Sequence, residues 1–268
     1  MPQHADHNDL AVPMFEVLRS IGFGEHSNPH HFNTGTLFWS LTRLFGCYER
    51  VMSALELPFA ERPFLEADVE TFIVRFRIVL NDVGYVLWQV LPRDARGLKG
   101  PKGGTHPKNK EVSIVAICDY LTANSALHPE LADALARAQP WISRLRNDRD
   151  NVVHYKSKAL VFDTQPSSFA LINAAGTERS EATPEGGSRL RLEPIPDFVN
   201  GQLLALHSFM HTDLALAIRA HAVRSNFKLV PVGWNERMRC IGTRRFKAQN
   251  GLVDSHLGQL DIGKPSAS

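Results

Sequence analysis

A chain of 268 residues with 30 lysines and arginines against 28 acids carries a formal charge of +2, too weak a global field to commit it to nucleic acid by bulk attraction. Its hydrophobic share of 43% permits a sizeable core, but no run is apolar enough for a bilayer span and M-P-Q-H-A-D-H-N-D-L lacks a secretory pattern. Cys47, Cys118 and Cys240 are odd in number and never spaced as pairs, which argues against a disulfide framework or zinc ribbon and fits a reducing, cytoplasmic setting.

Residues 1–35 read as an irregular segment, because Gly22, Gly24, Pro29 and His30-His31 interrupt any period. Over 37–57, apolar residues recur at three- and four-residue steps (Leu37, Leu41, Leu44, Phe45, Tyr48, Val51, Met52, Leu55), the pattern of a helix. Pro58 and Pro63 bracket the connection that follows. A second helix is expected over 66–90, ending before Pro92. It is apolar nearly all round and so the most buried.

Residues 93–110 hold six basic residues against one acid, with four glycines and two prolines. This composition makes a loop. It is either a solvated linker or a basic flap that meets a polyanion through Lys99, Lys102 and Lys108. The phosphate-loop pattern G-x-x-x-x-G-K-[ST] does not occur in it.

Helical pattern resumes over 111–124 and 129–138, and a third piece is expected to start at Pro140, since proline suits a first helical turn. After Ser157 the period shortens. K-A-L-V-F-D and S-F-A-L-I-N read as paired strands around T-Q-P-S, and S-R-L-R-L-E as a third strand. Pro194 and Pro196 then introduce a long last helix over 197–224. The expected architecture is mainly α: a helical bundle over 36–225 with a small antiparallel β insertion around 158–193, before the last long helix. A basic C-terminal extension, partly disordered, would occupy 226–268.

The stretch R-N-D-R-D-N-V-V-H-Y-K at 146–156 concentrates charge at a helix end. At about 100° per residue, Arg146, Asp150 and His154 share one stripe at i, i+4, i+8, so Asp150 can reach both neighbours. A carboxylate beside an imidazole fixes its orientation and favours its charged form. Trp141, Ile142, Leu145, Val152 and Val153 form the apolar arc, and Arg149 lies inside it. A guanidinium on that face needs an acid from the bundle or a cleft shared with another chain. The plainer account of the stripe is a solvated helix end with a surface pair.

Arg149-Asp150-Asn151-Val152-Val153-His154, followed by Tyr155, resembles the R-x4-H motif of HEPN domains, where the residue after the arginine is typically Asn, Asp or His. The resemblance implies a HEPN-like helical bundle over 37–155. It also implies a metal-independent endoribonuclease that needs no cofactor and works as a homodimer, its two motifs facing across a cleft. Arg149 and His154 would be the catalytic pair, with Asp150 assisting and Asn151 and Tyr155 supporting. Arg146 joins them from the helical wheel alone. RNA would be the substrate, a toxin or defence role would fit, and an antitoxin or regulatory protein is a possible partner. Other members of the family are inactive modules that bind RNA or a protein, which is the alternative reading here.

The chemistry needs no metal. RNA cleavage by its own 2′-hydroxyl requires one proton removed and one delivered to the leaving 5′-oxygen, work suited to histidine. A guanidinium stabilises charge on the non-bridging oxygens. DNA lacks the attacking hydroxyl. A third reading makes the bundle purely structural, with Arg149 paired to a buried acid such as Asp82 or Asp119.

Two other features carry a pattern. His207 and His211 stand at i, i+4 as metal ligands can, but no third ligand has convincing spacing and the run is apolar, so a core role is expected. Residues 219–247 hold eight basic residues and one acid with Phe227, Trp234 and Phe246 among them. Arg244 and Arg245 are its candidate nucleic-acid contacts, against a packed terminal extension as the plainer account.

Overall fold

The computed structural model describes residues 13–22, 34–91, 112–154, 158–173, 176–177, 180–182, 188–190, 192–226, 228–229 and 241–252. In chain order these form α1 (Pro13–Ser20), β1 (Ile21–Gly22), α2 (Thr34–Leu55), a 3-10 turn (Phe59–Glu61), α3 (Leu65–Val90), α4 (Ile114–Ala123) and α5 (Pro129–His154). Strands β2 (Lys158–Phe162), β3 (Ser168–Asn173), β4 (Gly176–Thr177), β5 (Ser180–Ala182), β6 (Ser188–Leu190) and β7 (Glu193–Pro194) follow. Then come α6 (Ile195–Ser208), a π-helical turn (Phe209–Asp213), α7 (Leu214–Arg224), β8 (Lys228–Leu229) and α8 (Arg244–Gln249). The described chain is mainly helical with a small antiparallel sheet, and none of its helices is long and apolar enough to cross a membrane.

The chain divides into two units, 30–205 and 1–29 with 206–268. In the first, α3 is the central element, packed against α2, α4, α5 and β2. Its buried residues recur on more than one face, from Val69, Phe72 and Ile73 to Leu87 and Val90, as expected for a helix apolar nearly all round. Glu66 and Asp68 sit in its first turn, favourable at the positive end of the helix dipole. It stops at Leu91, where Pro92 disfavours a further helical residue. Helix α4 is capped by Ser113, whose hydroxyl accepts from the Ala116 N–H at 3.2 Å. Gly84 lets α3 approach it: a Cβ there would stand 2.7 Å from the Ile114 nitrogen and 2.8 Å from its Cα.

An aromatic cluster joins the layers. Phe72 and Phe169 both meet Phe198 edge-on, and Phe76 meets Trp141. Trp141 Nε1 donates to Gln202 Oε1 at 2.7 Å, fixing α5 to α6, and the Tyr48 hydroxyl donates to Asn200 Oδ1 at 3.1 Å, fixing α2 to α6.

The hairpin of β2 and β3 forms where paired strands were expected, with Ala159 opposite Leu171 and Val161 opposite Phe169. Strands β4 and β7 also pair with β3. The segment expected as the third strand contributes β6, but it pairs with β5 rather than with the hairpin. On the open side of β2, Glu70 Oε1 accepts from the Ala159 N–H at 2.9 Å and Glu66 Oε1 from the Val161 N–H at 3.2 Å. Arg62 ties the α2–α3 connection down, donating to the carbonyls of Leu55 and Leu57 and to the Ser167 hydroxyl.

Three expectations are corrected. Residues 1–35 are not irregular throughout, since α1 lies within them and buries Met14, Phe15, Val17 and Leu18. Pro140 does not begin a helix. It lies inside the continuous α5 on an exposed position, so its missing N–H costs one ladder bond without breaking the packed face. The long last helix is interrupted by the π-helical turn, and the unit boundary falls near it rather than at 225. The physical reason is α1, which packs on α7 and the π-helical turn and makes a core of its own with them. In that unit β1 pairs with β8, and the buried His211 accepts the Ile241 N–H through Nε2 at 3.1 Å.

Candidate functional site

The last two turns of α5 carry the motif, and α3 and α4 pack against this helix. Leu131, Leu135, Ala138, Ile142 and Leu145 bury one stripe of it, and Asp148 continues that stripe at 4% exposure. Arg149 is therefore one position off the most buried line, with 30% of its side chain open. Val153, expected in the apolar arc, is 43% exposed, so the helix end leaves the bundle with His154 in solvent.

Asp150 holds two arginines. Its Oδ1 meets Arg149 Nη1 at 2.9 Å and its Oδ2 meets Arg146 Nε at 3.5 Å, the latter at the expected i, i+4 spacing. His154 is met by Arg149 rather than by Asp150: Arg149 Nη1 lies 2.8 Å from His154 Nε2. A guanidinium only donates, so Nε2 accepts here and the ring's proton sits on Nδ1. With these groups partly exposed, each contact contributes about 1 kcal/mol or less to stability. Among the described residues the only acid that Arg149 meets is Asp150. Asp82 instead takes a hydrogen bond from Ser40, with its pKa raised by burial, and Asp119 is exposed. The structural pairing of Arg149 with either acid does not occur.

A further arginine, not singled out in the sequence, borders the motif. Arg77 of α3 is 9% exposed, and its Nη1 is closed off from solvent without a hydrogen-bond partner. Burial is the largest influence lowering its pKa. The like charge of Arg146 adds to that effect, Asp150 opposes it, and Arg149 adds again. The Cys118 thiol beside it is pushed up to about 11, chiefly by burial, and so is neutral. Arg77 had a signal in the sequence: on the helical wheel it shares a face with Ile73, Leu80 and Gly84. Asp148 had one too, three residues beyond Leu145.

Asn151 is half-buried next to the pair. Tyr155, Lys99, Lys102 and Lys108 lie outside the described residues. Arg244 and Arg245 belong to α8 in the other unit, at its exposed and half-buried first positions. His207 and His211 stack with ring centroids 4.1 Å apart. Among the described residues no three of His, Cys, Asp and Glu are grouped as metal ligands. Around the motif on α5, the described residues thus bring together the Asp150 carboxylate with the Arg146 and Arg149 guanidinium groups, the buried Asp148 one residue before Arg149, and an exposed imidazole whose Nε2 lone pair is held by an arginine. In comparisons with known proteins, the chain matches no family model, no curated relative and no solved structure.

Proposed function

We propose that the chain is a metal-independent endoribonuclease of the HEPN type, with Arg149 and His154 as its catalytic pair and Asp150 as the residue that holds Arg149. The observation that carries this reading is the 2.8 Å contact between Arg149 Nη1 and His154 Nε2. It puts a phosphate-binding cation and a proton acceptor side by side at an exposed helix end.

In this reading a non-bridging phosphate oxygen takes the Arg149 donor, which releases the Nε2 lone pair of His154. That nitrogen then accepts the proton of the 2′-hydroxyl as its oxygen attacks phosphorus. The bond to the 5′-oxygen breaks, the leaving oxygen takes up a proton, and a 2′,3′-cyclic phosphate remains. Arg149 and Arg146 stabilise the charge that builds on phosphorus. A second copy of the chain would bring a second imidazole for the other proton transfer, and exposed Val153 is an apolar side chain such a copy would cover.

The test is cleavage of labelled RNA by the purified chain in a chelator. Expected are cyclic-phosphate ends, no action on matched DNA, and a loss of roughly 100-fold or more in His154→Ala. His154→Ala cutting as fast as the parent would sink the reading. Salt-sensitive RNA binding without cleavage would leave the inactive RNA-binding module in its place.

A further inference from the structure

We propose that the connection between α2 and α3 is a docking surface for a basic protein segment, one that sets apolar side chains flanked by lysine or arginine against Leu57, Phe59 and Phe64. The surface lies on other elements than the motif, and nothing in it depends on the ribonuclease reading.

This short connection exposes three large apolar side chains: Leu57 at 44%, Phe59 at 41% and Phe64 at 73%. A single exposed apolar residue needs no explanation, but a group this close together does. The group is held still from beneath. Every nitrogen of the Arg62 side chain is engaged: Nε donates to the Leu57 carbonyl at 2.7 Å, Nη2 to the Leu55 carbonyl at 2.9 Å and Nη1 to the hydroxyl of buried Ser167 at 2.7 Å. The Glu61 N–H meets the Pro58 carbonyl at 2.8 Å, and the Asp68 N–H meets the Phe64 carbonyl at 2.9 Å. An apolar surface fixed in advance loses little freedom when it is covered. Phe64 stands at the N-cap of α3 and makes no side-chain cap hydrogen bond. Serine, threonine, aspartate or asparagine there would accept a helix N–H and stabilise α3. The chain forgoes that cap and holds a phenyl ring in water instead.

Charge selects the occupant. Glu56, Glu61 and Glu66 are exposed along the same stretch, while Arg62 turns its charge inward onto carbonyls. Arg50, the exposed cation nearest in the sequence, is already paired with Asp68 at 2.9 Å. Carboxylates beside an apolar centre complement a partner of the opposite pattern and steer its approach. They also work against two other occupants. Symmetric pairing of two copies sets these acids against themselves, and an anionic lipid surface repels them. Three side chains make a small contact, which suits a transient partner rather than a permanent subunit.

The probes are two amphipathic helical peptides of one pattern, the first of leucine and lysine and the second of leucine and glutamate, titrated into the full chain. The leucine–lysine peptide should bind, more weakly as salt rises, and should move the amide resonances of residues 56–66. The leucine–glutamate peptide should bind roughly 10-fold more weakly or not at all. Phe64→Ser should weaken binding of the basic peptide by roughly 10-fold or more. It should melt no lower than the parent, because serine restores the missing cap. Equal binding of the two peptides, or none by the basic one, overturns the proposal. So does a Phe64→Ser protein that binds like the parent. A Phe64→Ser protein that melts well below the parent overturns it too, since the ring is then covered by its own chain. Two further measurements name the wrong occupant if there is one. A dimer seen by sedimentation and lost in Phe64→Ser gives the surface to a second copy. Binding of the parent, but not of Phe64→Ser, to phosphatidylcholine–phosphatidylglycerol vesicles gives it to lipid. Either result defeats the assignment to a basic protein segment.

Discussion

Arg149 spends one nitrogen on two neighbours: its Nη1 is 2.9 Å from Asp150 Oδ1 and 2.8 Å from His154 Nε2. The carboxylate draws the guanidinium into place, and the guanidinium in turn decides which imidazole nitrogen carries the proton. Nitrogen-15 spectra of the histidine rings at pH 8 should therefore show His154 as the Nδ1–H tautomer. Arg149→Met should let it relax toward the Nε2–H form, which is commoner in free imidazole side chains. Finding Nε2–H in the unmodified protein would mean that the contact is not made in solution.

Gly84 faces backbone, not a yielding side chain, so a methyl group there has no room. Gly84→Ala forces α3 and α4 apart or bends one of them, and should cost roughly 1–3 kcal/mol despite alanine's better helix propensity. Denaturant unfolding measures this directly. An unchanged or higher midpoint would show that α4 is not seated on α3 as described.

His211 gives stability a pH dependence. Burial, the neighbouring His207 and Lys247 lower its pKa from 6.5 to about 3, and protonation would also remove the acceptor of the Ile241 N–H. Between those values the unfolded chain binds a proton that the folded chain refuses. The contribution is therefore fully present above pH 6.5 and shrinks as pH falls toward 3. His207, lowered by burial as well, acts in the same direction. Melting temperatures should drop from pH 7 to pH 4, and His211→Leu should flatten that drop. Equal slopes for the two proteins would refute the assignment.

Trp141→Phe keeps most of the ring against Phe76 but removes the donor to Gln202, which is 7% exposed. The stranded amide oxygen should cost about 1–3 kcal/mol. A double variant with Gln202→Leu should recover part of that, since both polar groups are then gone. If the single variant loses nothing by denaturant titration, water already reaches this contact.

Helices α2 and α3 and the β2–β3 hairpin are legible because one physical signal dominates each. Apolar residues at three- and four-residue spacing, prolines at 58, 63 and 92, and alternation around T-Q-P-S all agree locally with the fold. Helix α1 carries the same spacing in Met14, Phe15, Val17 and Leu18, but over only eight residues, too few to stand out from the glycines and histidines after it. Pro140 misleads because its preference for first turns is statistical, whereas packing on both sides keeps α5 whole. On the motif itself, the wheel places Arg146 beside Asp150 correctly. It misses by one position which residue is most buried, Asp148 rather than Arg149. Contacts across helices, such as Phe76 against Trp141, depend on how α3 crosses α5, and no single-helix wheel contains that.

The two glutamates of α3 that accept the Ala159 and Val161 N–H groups have a further consequence. A hairpin's outer strand ordinarily offers its free donors to any passing extended chain, the first step of domain swapping or fibril growth. Here Glu66 and Glu70 occupy those donors and line the edge with carboxylates. On that side the hairpin is closed to strand addition, with the helix itself standing where a further strand would pair.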